Sequence, residues 1–85
     1  MKHNLFDLLV LSPEKELFSG KVESVAARAL DGEIGIFARH APLLSILRSG
    51  QIKIVPDIAP AVNIPISGGV LHVEKDLVQL FVTTT

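Results

Sequence analysis

The sequence predicts an all-β domain, a sandwich or a barrel. Turn-forming residues recur roughly every 8–12 positions with short apolar or alternating runs between them, which is the spacing of packed antiparallel strands. Asp31-Gly32 and Lys75-Asp76 are dipeptides suited to tight connections, and each separates two such runs. Of the 85 residues, 48% are hydrophobic, enough to fill one core without disulfides. Residues 1–85 therefore read as one domain, with no internal repeat, low-complexity tract or linker.

Taken in order, Leu5–Leu11 is a short apolar run closed by Pro13, and its length favours a strand. Ser12-Pro13-Glu14-Lys15 has proline where a type I turn wants its fixed φ. Leu17-Phe18 leads into Ser19-Gly20, read as another reversal. In Val22–Leu30, the residues Val22, Val25, Ala26, Ala29 and Leu30 fall at helical spacing, and the alternating pattern is weaker. So short a helix is marginal, and neither Gly20 nor Lys21 offers a side-chain cap. The strands expected on both sides decide for a strand.

Asp31-Gly32 then turns the chain into Glu33–Phe37, with Ile34 and Ile36 on one face. Gly35, on the other face, leaves room for another backbone to approach. Pro42 suits the first position of a helical turn, after which Leu43, Leu44, Ile46 and Leu47 would pack inward. Arg48-Ser49-Gly50 turns again. Gln51–Val55 alternates, with Ile52 and Ile54 inward. Val62, Ile64 and Ile66 share a face of the next strand, which Pro60 and Pro65 confine to an edge because proline cannot donate to a ladder. After Ser67-Gly68-Gly69, two strands, Val70–Glu74 and Leu77–Thr83, flank the Lys75-Asp76 tip.

Composition excludes several functions. With no cysteine there is no disulfide, thiolate nucleophile or cysteine metal site. Eight Lys and Arg against nine Asp and Glu give a net charge of −1, without the basic excess that nucleic acid or anionic lipid demands. The N-terminal MKHNLFDLLVL lacks a cleavage site, and the longest uncharged run, Ile58 to Val73, is too short and too broken to span a bilayer. A soluble protein that reaches a membrane only through a partner is expected.

The candidate chemistry is thin. His3, His40 and His72 lack metal-ligand spacing. Ser45, His40 and Asp31 have no nucleophile elbow around them. Gly32-Glu33-Ile34-Gly35 carries a glutamate where a nucleic-acid clamp needs basic residues and flanking helices. Ser67-Gly68-Gly69 precedes a strand and so offers no helix N-terminus to a phosphate. Lys75 at a hairpin tip is reminiscent of biotinyl and lipoyl carrier domains, but Glu74-Lys75-Asp76 matches neither flanking pattern, and this reading is the alternative. What remains is an interaction surface: Arg28, Arg39, Arg48, Asp31, Glu33 and His40 set around Phe37, Leu43 and Leu44.

These residues carry a resemblance. Gly32-Glu33-Ile34-Gly35-Ile36, His40-Ala41-Pro42-Leu43-Leu44, Leu47 and Gly50 resemble the central signature of the epsilon subunit of bacterial F-type ATP synthase. Leu17-Phe18-Ser19-Gly20 with Val22, and Ile66-Ser67-Gly68-Gly69-Val70-Leu71-His72-Val73, agree with two further family stretches, in order and correctly spaced. The resemblance implies a flattened β-sandwich of about ten strands. It implies a non-catalytic subunit without a cofactor, at the foot of the rotating central stalk. That subunit binds the gamma subunit and the polar loops of the membrane c-ring, and helps couple proton flow to ATP synthesis. Its place is peripheral, on the cytoplasmic face of the bacterial inner membrane. Glu33 and Gly35 match family positions near the ring loops, and His40 one at the same surface, with Asp31 and Arg39 beside them. Gly32, Pro42, Leu43, Leu44, Gly50, Gly68 and Gly69 match turn and packing positions.

Two departures stand out. Ala38-Arg39 replaces the family's Pro-Gly; a glycine there implies a positive φ, which arginine adopts at a cost. The chain also ends at Thr85, where the family's C-terminal helical hairpin starts, so hairpin-type inhibition of ATP hydrolysis and ATP sensing are not expected.

Overall fold

The computed structural model describes residues 4–39 and 41–84. These form eight strands and no helix: β1 (Phe6–Leu11), β2 (Glu16–Ala29), β3 (Gly32–Phe37), β4 (Leu43–Leu47), β5 (Gly50–Pro56), β6 (Val62–Ile66), β7 (Gly68–Glu74) and β8 (Leu77–Thr83). The class is the one expected, with eight continuous strands rather than about ten. Part of the difference lies in β2, which serves two layers. Its residues 16–22 pair with β1, and its residues 22–29 pair with β3 and β5. One layer thus runs β4, β7, β8, β1, β2, and the other β3, β2, β5, β6.

This corrects the expected reversal at Ser19-Gly20. Both residues pair in register with β1, Ser19 opposite Leu9 and Gly20 opposite Leu8, and Gly20 is not among the glycines with positive φ. The chain bends from one layer to the other without turning back. Opposite the same stretch, Lys21 Nζ lies 3.2 Å from Asp7 Oδ1, an exposed pair at one register position.

The period-2 alternation of the strands sets the core. Phe6, Leu8 and Val10 of β1, Leu71 and Val73 of β7, and Val78, Leu80 and Val82 of β8 point inward from one layer. Val25, Ala27 and Ala29 of β2, Ile36 of β3, and Ile52 and Ile54 of β5 meet them from the other. Burying each large aliphatic side chain contributes about 1.5–3 kcal/mol. The seam between the layers, lined by Val25, Ile34, Ile36, Leu71 and Leu80 among others, has no room for water. Pro65 sits in β6, which among the described residues pairs only with β5 and is the edge that this proline requires.

A second correction concerns Pro42. No helical turn follows it. Leu43 to Leu47 form β4, fully paired with β7, and alternate strictly: Leu43 is half-buried and Leu47 buried, while Leu44 and Ile46 face out. The residue before a proline is driven to extended backbone, and β7 supplies a complete ladder partner, so the strand wins.

Candidate functional site

β2 and β3 form a hairpin whose tip is Leu30-Asp31, one residue earlier than the Asp31-Gly32 dipeptide suggested. Neither tip residue has a positive φ; the left-handed geometry falls on Gly32, φ 127°, the first residue of β3. The tip is tied to the far end of β4. The Leu30 N–H donates to the Ile46 carbonyl at 3.2 Å, and the Arg48 N–H to the Arg28 carbonyl at 2.7 Å. Asp31, Gly32 and Glu33 are exposed there. Glu33 is in register with Arg28, and both line a shallow hollow of about 440 Å³ with Ala26, Gly50 and Lys53. Among the described residues, none of Arg28, Asp31, Glu33, Arg48 and Lys53 has an ion-pair partner.

β3 then leads away from this end. Six strand residues span roughly 17 Å, so Phe37, Ala38 and Arg39 lie at the opposite end of the hairpin, where the chain arches from the β3 layer to β4. Arg39 has φ 65°, the left-handed value expected for a glycine position. For an L-residue this costs roughly 1–2 kcal/mol. The predicted polar set is therefore split in two: Arg28, Arg48, Asp31 and Glu33 at one end, Arg39 with Pro42 at the other. His40 lies outside the described residues. Gly35, midway, does not receive another backbone; a Cβ added there would meet only Phe37 Cε2, at 3.8 Å. The tight glycine is Gly69, where an added Cβ would lie 2.5 Å from the Phe81 carbonyl oxygen.

Sequence reasoning missed a third feature. On the outer face of the β4, β7, β8 and β1 layer, register aligns Ile46, Val70, Phe81 and Leu11 in one row across four strands. Ile46 is 51% exposed and Phe81 46%. The adjoining row is Leu44, His72, Gln79 and Leu9, with Leu44 69% exposed and His72 Nδ1 at 3.5 Å from Gln79 Oε1. The alternation of Leu77, Gln79 and Phe81 was the available signal.

A sequence model of the family "ATP synthase, Delta/Epsilon chain, beta-sandwich domain" matches residues 5–85. The chain belongs to this family. The fold of this delta/epsilon-type domain is similar to that of a chain in the Euglena gracilis mitochondrial ATP synthase, in a structure of OSCP, F1 and the c-ring in rotational state 1. The TM-score is 0.87 and the identity 21%, over 93% of this chain and 51% of that one. A chain from the central stalk and c-ring of the Tetrahymena thermophila mitochondrial ATP synthase matches with TM-score 0.78 and 18% identity, over 98% of this chain and 66% of that one. This delta/epsilon-type domain thus spans about half the length of the first neighbour, and at such identities the likeness is one of fold. Lys75, φ 55°, does stand at the two-residue tip between β7 and β8, but the family that matches is not a carrier family.

Proposed function

We propose that this chain is a non-catalytic rotor subunit of the central stalk of an F-type ATP synthase. The outer face of the β4, β7, β8 and β1 layer docks on the gamma subunit. The Leu30-to-Glu33 turn meets the polar loops of the c-ring. Together these contacts help couple proton flow to ATP synthesis, and they hold the chain peripherally at the membrane, on the cytoplasmic face of the bacterial inner membrane. The observation that carries this reading is the outward-facing apolar row Ile46, Val70, Phe81 and Leu11, in which Ile46 and Phe81 are exposed and Val70 and Leu11 half-buried. A contiguous apolar strip on a small domain marks a contact surface, since leaving it in water forgoes about 25 cal/mol per Å². The carboxylates of Asp31 and Glu33, without an ion-pair partner among the described residues, suit a different, polar contact, because a basic loop would meet them in charge-assisted hydrogen bonds.

Co-purification tests the reading. Tagged chain co-expressed with the gamma subunit and c-ring subunit of the same complex is expected to recover both. Phe81→Asp, which adds charge to a half-exposed site, is expected to fold normally and to lose gamma at least tenfold in affinity. Recovery of neither partner by the unaltered chain would refute the proposal.

A further inference from the structure

We propose that Pro65 keeps copies of this domain from adding edge to edge into an open-ended sheet. The inference is independent of the rotor reading. The layer β3, β2, β5, β6 ends in two strands with one neighbour each among the described residues: β3 pairs with β2, and β6 with β5. The ladders fix which backbone groups face outward. The Arg48 N–H donates to the Arg28 carbonyl and the Leu30 N–H to the Ile46 carbonyl, so Arg28 and Leu30 turn toward β4, and Ala29 between them turns toward β3. Groups alternate along an antiparallel ladder. Glu33, Gly35 and Phe37, opposite Arg28, Ala26 and Ser24, therefore direct their N–H and C=O groups out from the edge. On the other edge, Pro65 lies opposite Gln51 inside the β5–β6 ladder and has no N–H to donate, so theirs is a non-hydrogen-bonded pair. Pro65 and Asn63, two residues before it, are the ones that face outward from β6.

The two edges match in direction and in pleat. Neighbours in this layer are antiparallel throughout, so a translated second copy presents its β3 antiparallel to β6. Asn63 and Pro65 are exposed, as are Glu33, Gly35 and Phe37, while Val62 and Ile64 of β6 and Ile34 of β3 are half-buried. Pairing would continue the exposed face of one copy into the next and cover the half-buried row beneath it. Such a match is what an open sheet edge offers to another chain. The mismatch is in the donors. Each of Glu33, Gly35 and Phe37 offers an N–H and a C=O, whereas β6 offers the Asn63 N–H and, at Pro65, a ring carbon where the next donor belongs. An outward proline removes a hydrogen bond and holds the incoming strand away. Contacts between β6 of one copy and β3 of the next are head-to-tail and do not close. Each needs a β6 edge, so a block on that edge alone stops growth. Pairing of β3 with β3 closes at two copies, because the remaining edges are both β6.

The test restores the donor and then blocks the opposite edge. Pro65→Val and Pro65→Ala both supply the missing N–H at an exposed site. Gly35→Pro, added to either, places the same block on β3; the Gly35 N–H faces away from β2, so no bond within the domain is lost. Sedimentation velocity and light scattering over a concentration series follow assembly of each full chain, and circular dichroism melts follow folding. The unaltered chain is expected to stay at one or two copies. Pro65→Val and Pro65→Ala are expected to keep a cooperative melt and to form larger assemblies, with an association constant raised at least about tenfold. Adding Gly35→Pro is expected to return both to two copies or fewer. Folded Pro65 variants that assemble no further than the unaltered chain overturn the inference. So does open-ended assembly of the unaltered chain, or growth that Gly35→Pro leaves unchanged. Loss of the cooperative melt in both single variants would assign Pro65 a folding role and likewise overturn it.

Discussion

Replacing Gly69 by alanine perturbs the packing of β7 against β8 at a single position. Gly69 pairs with Val82 at the start of the β7–β8 ladder, and its φ is not positive, so alanine meets no backbone penalty. The obstacle is steric. The new Cβ would lie 2.5 Å from the Phe81 carbonyl oxygen, 2.9 Å from Val82 Cα and 3.0 Å from Val82 Cγ1. Two of these three atoms are backbone, so no rotamer change relieves the clash. The strands must part by about half an ångström to reach the shortest contact that real Cβ atoms make. Val82 is 2% exposed, so that shift is forced into the core. Overpacking of this kind costs about 1–3 kcal/mol, against a total stability of about 4–13 kcal/mol for a chain of this size. The expected fall in Tm is about 5–20 °C. Far-UV circular dichroism is the assay, because the chain has no tryptophan or tyrosine to report by fluorescence. Gly35→Ala is the control: its nearest contact is 3.8 Å, and it should hold Tm or raise it slightly by restricting the unfolded chain. A Gly69→Ala melt that matches the unaltered protein, or a Gly35→Ala melt that falls as far, would refute the steric argument.

Two further outcomes are expected. Glu33→Arg, at an exposed residue without an ion-pair partner among the described residues, should leave the melt within about 2 °C. ATP-driven proton pumping should fall in membranes carrying that variant, and unchanged pumping would count against the c-ring contact. Leu80→Ala removes a side chain with 0% exposure at the meeting of the layers and should cost about 2–5 kcal/mol in urea unfolding; a smaller loss would mean that the core collapses around the cavity.

Much of the fold was legible from local chemistry. The alternation of Ile52 and Ile54, the Lys75-Asp76 tip, and the proline-marked edge at β6 each follow from one residue type meeting one backbone rule. The left-handed turn at Arg39 was legible in the same way, through the glycine that the resembled family carries there. The errors arose where two readings were locally equal. Leu43 to Leu47 are apolar on both faces of a strand, so neither helix nor strand is excluded until β7 supplies a ladder. Ser19-Gly20 signals a turn only if no partner strand claims it, and β1 does.

The candidate site divides along the same line. The residue types that could bind a partner, Asp31, Glu33, Arg39, Phe37 and Leu44, were determined by the sequence alone, as was their family. Their separation into two ends of one hairpin was decided by tertiary structure, because β3 stands between them as a rigid extended strand. So was the apolar row Ile46, Val70, Phe81 and Leu11. A hydrophobic side chain in a strand predicts burial against something. Whether that is the domain's own core or another subunit depends on which face the register turns outward, and register is settled only by pairing between distant strands.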